Sequence, residues 1–313
     1  MKNSARMTEH VERFVAMKRN LGYQFKQQEW TLSGFARYAE DRDETFIRSE
    51  TVLAWIRSCE ASSPSQRIAK LHLLHAFAGW LHAEDTRHEV PHRDALGHQR
   101  KRRPQPYLVS APQIRKLLTA ALSAAPAGTI TPLTWHYLFG LIAATGLRCS
   151  EALSLTLDDI TADGLIIRET KFRKSRMVAL HPTTCDALDR YLQVRCKEKT
   201  ADRHLFVITT GRRPSRHCAK SAFRKLAEQT GLREPGAARG PTIHSLRHSF
   251  AVRSIENLDL GADPGRHMLA LATYLGHAKV SGTYWYLEAT PILLRGIAEA
   301  TEQTHRNGGS CHD

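Results

Sequence analysis

The chain has 313 residues, 42% of them hydrophobic, which is enough apolar material for two domains and excludes wholesale disorder. Its 45 Lys and Arg outnumber 31 Asp and Glu for a net charge of +14, and the excess is shared, with 18 basic against 13 acidic residues up to Pro106 and 27 against 18 after it. Such a balance favours a polyanion held between two basic lobes over one gripped by a basic tail. The six cysteines (Cys59, Cys149, Cys185, Cys196, Cys218 and Cys311) show no CxxC pair and no zinc-finger spacing, and they read as reduced thiols. No apolar run approaches the roughly 20 residues that span a bilayer. A protein that stays inside the cell, without a membrane partner, is therefore expected.

Residues 5–88 repeat apolar positions at three- and four-residue intervals. Val11, Phe14 and Val15 form one face, Trp30, Leu32, Phe35, Tyr38 and Ala39 a second, and Val52, Leu53, Trp55 and Ile56 a third. Ser63-Pro64 opens a fourth helix carrying Ile68, Leu71, Leu74, His75, Ala78 and Leu81. Four helices with short connections predict a small bundle over residues 1–90, its aromatics assigned to the core. Residues 91–106 lack periodicity and contain Gly97, Pro104 and Pro106, the marks of a linker. Within it Arg100, Lys101, Arg102 and Arg103 form a run suited to crossing a phosphate backbone.

Beyond the linker, Ser110-Ala111-Pro112 reads as a cap and an early proline opening a helix through Leu122, and a strongly apolar helix over residues 132–145 stops at Gly146. Residues 163–169 and 176–180 read as strands flanking a basic turn at 171–175. A helix is expected over 182–197, a short buried strand at 205–208, a helix with a basic face over 215–229, and mostly helix from 243 to 300. The last residues, 301–313, read as a frayed tail. The fold class is thus mainly α with a small β-sheet, an α+β architecture, with the second domain over 107–300.

Breaking a phosphodiester without a metal requires a nucleophile, cations on the non-bridging oxygens, and a proton for the departing oxygen. Arg148, just after a helix-ending Thr-Gly, offers a guanidinium fork that keeps its charge, and Glu151 three residues on is of a type that holds such an arginine in place. His244 and Arg247 share a helix face at a spacing of three. His244 and His248 also have the spacing of a helical zinc pair, but no glutamate stands between them in metalloprotease order and no third ligand is evident, so no metal or other cofactor is assigned. Lys171, at the hairpin turn, is placed to protonate a leaving oxygen, while Arg173, Lys174 and Arg176 read as phosphate contacts. Tyr286 needs nearby cations to act as a nucleophile, because its phenol titrates near 10 when unperturbed. Tyr284 is its rival.

In order, Thr145-Gly146-Leu147-Arg148 with Glu151, the hairpin lysine, His244 with Arg247, Leu275-Gly276-His277, and a tyrosine nine residues beyond His277 resemble the active site of the tyrosine recombinases, the phage-integrase family. The resemblance spans residues 133–297, and the first domain is compatible with the family's core-binding domain. It implies that Tyr286 attacks the scissile phosphate of duplex DNA to leave a 3′-phosphotyrosyl link, that Arg148 and Arg247 hold the non-bridging oxygens, and that Lys171 protonates the 5′ oxygen. His244 would accept or relay a proton, and His277 would hydrogen-bond the phosphate. A homo-tetramer on synapsed DNA is implied too. Two departures stand out. The turn lacks the glycine often found there, leaving Lys174 as a rival of Lys171, and residues 283–291 look like a branch associated with mobile elements, some encoded beside sister recombinases. The rival readings are a catalytically silent DNA-binding accessory protein, a type IB topoisomerase, and a metal-dependent nuclease suggested by the 17 histidines.

Overall fold

A computed structural model describes residues 6–97, 105–124, 126–168, 175–257 and 263–276, together with Thr283 and Tyr286. The chain divides into two compact units, Met1–Arg103 and Pro104–Asp313.

Among its described residues the first unit holds four helices, α1 (Met7–Asn20), α2 (Lys26–Glu40), α3 (Ser49–Ser58) and α4 (Pro64–His82). At the start of α4 the Ser63 hydroxyl accepts from Gln66 N–H while the Gln66 side chain accepts from Ser63 N–H, and Pro64 sits at the first helical position. Phe14, Phe35, Phe77, Leu71 and Ile56 meet in one apolar core. Trp30, expected in that core, is 72% exposed. The helix period explains it: Leu32, Ala36 and Ala39 make the buried stripe of α2, and a position two residues before Leu32 lies on the opposite face. After α4 the chain stays on this unit. His75 Nδ1 lies 2.9 Å from the Pro91 carbonyl, and Leu96 packs against the core, so the first part of the stretch read as linker belongs to the packing of the bundle.

The second unit is built around α6 (Ile130–Thr145), which is buried on nearly every side by α5 (Ala111–Leu122), α8 (Pro182–Arg195), α9 (Arg216–Gln229) and α10 (Ile243–Glu256). Such all-round burial fits its lack of a polar face. The short helix α7 (Cys149–Ser154) leads through a 3-10 turn at Leu157–Asp159 into an antiparallel sheet, with β1 (Ile160–Thr161) on β2 (Gly164–Ile167) and β2 on β3 (Arg176–Val178). β1 was not foreseen, being two residues long. The strand expected at 205–208 is absent. Leu205, Phe206 and Val207 are fully buried, but apart from the bridge of Thr156 with His204 their backbone joins no ladder. Of its acceptors the Val207 carbonyl takes the Thr134 hydroxyl, and just before the run Arg195 donates to the carbonyls of Asp202 and His204. A run of apolar residues records burial, not pairing. The last described helix is α11 (Pro264–Leu275).

Candidate active site

Gly146 closes α6 in the left-handed region at φ +64°, and a β-carbon there would come within 2.5 Å of the Phe250 ring. The sharp exit sets Arg148 at the cap of α7. From there Arg148 donates to Glu151 Oε1 at 2.6 Å and to the Gly276 carbonyl at 2.9 Å, while its backbone N–H donates to Glu151 Oε2 at 3.0 Å. Arg176, at the start of β3, donates to both Glu151 oxygens at 3.1 and 2.9 Å and to the Tyr274 carbonyl at 2.9 Å. Burial works to raise the Glu151 pKa, but the bonds from Arg176 and Arg148 overcome it and leave the carboxyl at about 2. One carboxylate therefore fixes two guanidinium groups, and through their carbonyl contacts both reach the end of α11. Gly276 has φ +66°, and a β-carbon on it would stand 2.8 Å from the Arg176 guanidinium, so the glycine before His277 is required twice over.

The arginine read from the His-x-x-Arg spacing lies deeper. Arg247 on α10 is 1% exposed and donates to the Gly146 carbonyl at 2.6 Å and the Leu275 carbonyl at 2.8 Å, joining the ends of α6 and α11. Burial lowers its pKa to about 10, with Arg148 adding to the effect, which still leaves it charged at neutral pH. Tyr286 is 2% exposed and packs on Val252, Ile255 and Leu271. Its hydroxyl lies 3.0 Å from His248 Nδ1, and the His248 ring lies edge-on to that of His244 with centroids 4.3 Å apart. Burial raises the Tyr286 pKa, and the cations of Arg247 and Arg148 oppose the rise. The packed protein around His244, and then Arg247 and Arg148, hold its pKa below the usual histidine value.

Arg148, His244, Arg247 and Tyr286 are thus brought together. Lys171, Arg173, Lys174 and His277 lie outside the described residues, as do Arg100, Lys101, Arg102 and Arg103. Arg176, read as a phosphate contact, is instead turned inward with 13% of its side chain exposed, its donors taken by Glu151 and Tyr274. One pairing and one residue were missed. The pairing of Arg176 with Glu151 has no local signal, while His248 was visible only as half of a zinc spacing. Among the described residues no group of three metal-ligating side chains is found, and no helix is long and apolar enough to cross a membrane. A cleft of about 550 Å³ opens beside the site, lined by Arg148, His244 and, from the exposed face of α9, Arg216, Lys220 and Arg224.

Two guanidinium groups, an imidazole and a phenol gathered where α6, α10 and α11 meet are the equipment of an enzyme that breaks and rejoins a phosphodiester through a tyrosine. Residues 108–291 match the Phage integrase family. The chain belongs to this family, the tyrosine recombinases, which carry out site-specific DNA strand breakage and rejoining. It is 36% identical to the integrase/recombinase y4rB of Sinorhizobium fredii over 94% of this chain and 96% of that one. To the tyrosine recombinase XerD of Brucella abortus it is 30% identical, covering 79% and 78%. Among solved structures, the XerH recombinase in its post-cleavage complex with a palindromic difH substrate gives a TM-score of 0.68 at 18% identity, covering 96% of this chain and 86% of that chain. The Tn1549 transposon integrase bound to transposon right end DNA also gives 0.68, at 16% identity and 96% and 99% coverage. The lambda integrase tetramer on a Holliday junction gives 0.62 at 18% identity, covering 89% and 79%. These three share the fold.

Proposed function

We propose that this recombinase moves or integrates a mobile element, with Tyr286 as the nucleophile that forms the 3′-phosphotyrosyl link. The observation that carries the reading is the convergence of Arg148, Arg247 and Tyr286 on the end of α11: both arginines donate to carbonyls there, and the phenol packs beside it. Arg148 lines the cleft with its guanidinium already fixed by Glu151 and the Gly276 carbonyl, so a phosphate there meets a preorganised donor, which is where a crowded transition state gains most. His244 faces the same cleft, and Lys171 and His277 complete the set as general acid and phosphate donor. The domain assignment proposed with it is residues 1–90 as the core-binding domain, 91–106 as the basic linker, whose first part packs on that domain, 107–300 as the catalytic domain, and 301–313 as a tail.

Duplex DNA is the proposed partner, supported by the net charge and by the basic face of α9, and the solved relatives that hold DNA point the same way. The tetrameric lambda integrase supports a synaptic homo-tetramer. That y4rB and a second relative, y4rE, come from one Sinorhizobium strain supports a sister recombinase as an additional partner. A nucleoid-associated location in the bacterial cytoplasm follows from the DNA partner.

A nicked suicide substrate tests the nucleophile. Wild-type protein should become covalently trapped, and Tyr286→Phe should bind the same DNA without linking. An adduct retained in Tyr286→Phe and lost in Tyr284→Phe defeats the assignment. Sequencing the trapped DNA tests the rest, since capture at one sequence fits a recombinase and capture anywhere fits a topoisomerase.

A further inference from the structure

His248 Nδ1 lies 3.0 Å from the Tyr286 hydroxyl, with the two rings 5.5 Å apart, and the Arg247 side chain also hydrogen-bonds that phenol. From the geometry we infer that His248 is a catalytic residue, the base that takes the phenol proton as Tyr286 attacks. The inference rests on Tyr286 being the nucleophile. A buried phenol resists ionisation, and Arg247 and Arg148 stabilise the phenolate without offering its proton a destination. An imidazole with its proton on Nε2 presents a lone pair on Nδ1, and at neutral pH it is the ordinary side chain best matched to that task.

The arrangement separates two histidines that one spacing had grouped. His244, on the first turn of α10, lines the cleft with Arg148 and is open to a bound phosphate. His248, one turn further along, stacks edge-on beneath it and faces the phenol. The step balances as follows. The bond from Tyr286 oxygen to phosphorus forms as the bond from phosphorus to the 5′ oxygen breaks; the phenol proton goes to His248 Nδ1, and the 5′ oxygen takes a proton from the general acid, by the present reading Lys171. In rejoining, the 5′-hydroxyl returns its proton to the lysine, and the imidazolium returns the other to the departing phenolate.

The test uses the full chain and single-turnover cleavage. His248→Asn puts an amide where Nδ1 was, so it keeps a hydrogen bond to Tyr286 but cannot take up a proton; His248→Gln serves if the first variant fails to fold. DNA affinity and melting temperature should hold while cleavage slows by roughly 100-fold or more, the usual scale of general base catalysis. Rejoining of the preformed link should slow by the same factor, because the same proton returns. Replacing the bridging 5′ oxygen of the DNA by sulfur, a leaving group that needs no acid, should rescue Lys171→Ala and leave the His248 variant slow. Near-wild-type cleavage by His248→Asn would overturn the proposal in favour of simple positioning, and rescue of that variant by sulfur would overturn it in favour of a role at the leaving group. Tyr286→Phe keeps the two readings apart: a covalent adduct in that variant defeats the nucleophile, whereas its absence together with a fast His248→Asn defeats the base alone.

Discussion

In the unit Met1–Arg103 the buried described side chains are apolar apart from Thr51 and His88, whereas in Pro104–Asp313 the largest fully buried side chain is that of Arg247, and Asp159 and Arg195 are buried as well. The bundle is held by aromatic and aliphatic packing, with Phe14 in contact with Phe25, Phe77 and Trp80. The second unit has an apolar core too, but at its candidate active site helix ends are joined by guanidinium groups that reach backbone carbonyls. Burying an ion costs several kcal/mol, which its partners only roughly offset, so such groups are poor stabilisers for their number. Their presence in one unit and scarcity in the other marks where chemistry overrides stability.

The hardest blow to this contrast is at Arg247. Arg247→Lys keeps a charge, but a single ammonium cannot serve Gly146 and Leu275 together and also present a fork to phosphate. Cleavage of a suicide substrate should fall on the order of 100-fold to 1000-fold, the scale for losing one preorganised donor to a transition state. A rate near wild type would mean the buried guanidinium is structural only. The mirror experiment is Phe14→Ala in the bundle. Removing that ring should lower the stability of the first unit by about 3–5 kcal/mol in urea denaturation, and protein that remains folded and saturates the DNA should cleave at the wild-type rate. A large loss in cleavage rate there would erase the division between the two interiors.

How far each interior could be read in advance follows the same line. In the bundle the helix period and the Ser63-Pro64 start are local signals, and they locate α4 and its core face directly; Trp30 failed because it was grouped with a stripe whose angle it does not share. In the second unit Thr145-Gly146-Leu147-Arg148 was legible because the stop, the turn and the arginine are adjacent. Arg176 was not, since its acceptors are Glu151, 25 residues back, and the Tyr274 carbonyl, 98 residues on. Nor was the segment at 205–208, where the Val207 carbonyl is taken by a side chain from α6 and the His204 carbonyl just before it by one from α8. Contacts made across the fold between charges and carbonyls leave no periodic trace.

A smaller effect follows from Glu151. Its folded pKa is held at about 2 against an ordinary 4.5, so it contributes stability that is fully present above pH 4.5 and is lost as pH falls toward 2. The difference corresponds to about 3 kcal/mol. Glu151→Gln should remove that part of the acid sensitivity, seen as a flatter stability curve over this window, and an unchanged curve would show that the carboxylate is not held by the two arginines.

The smallest effect compares like with like. The same local device opens α4 in one unit and α5 in the other: a serine whose hydroxyl accepts from the N–H three residues on, a glutamine there that accepts in return, and a proline in the first turn, as Ser63 with Gln66 and as Ser110 with Gln113. Ser63→Ala and Ser110→Ala should each cost about 1 kcal/mol, read as faster amide exchange in the first turns of α4 and α5 respectively. Equal losses would place the difference between the two units in their interiors, since their helices would then be started by devices of the same strength. A much larger loss at Ser110 would instead mean that α5 depends on its cap because the charged site nearby weakens the packing that holds it, and the contrast would extend from the active site to the helices around it.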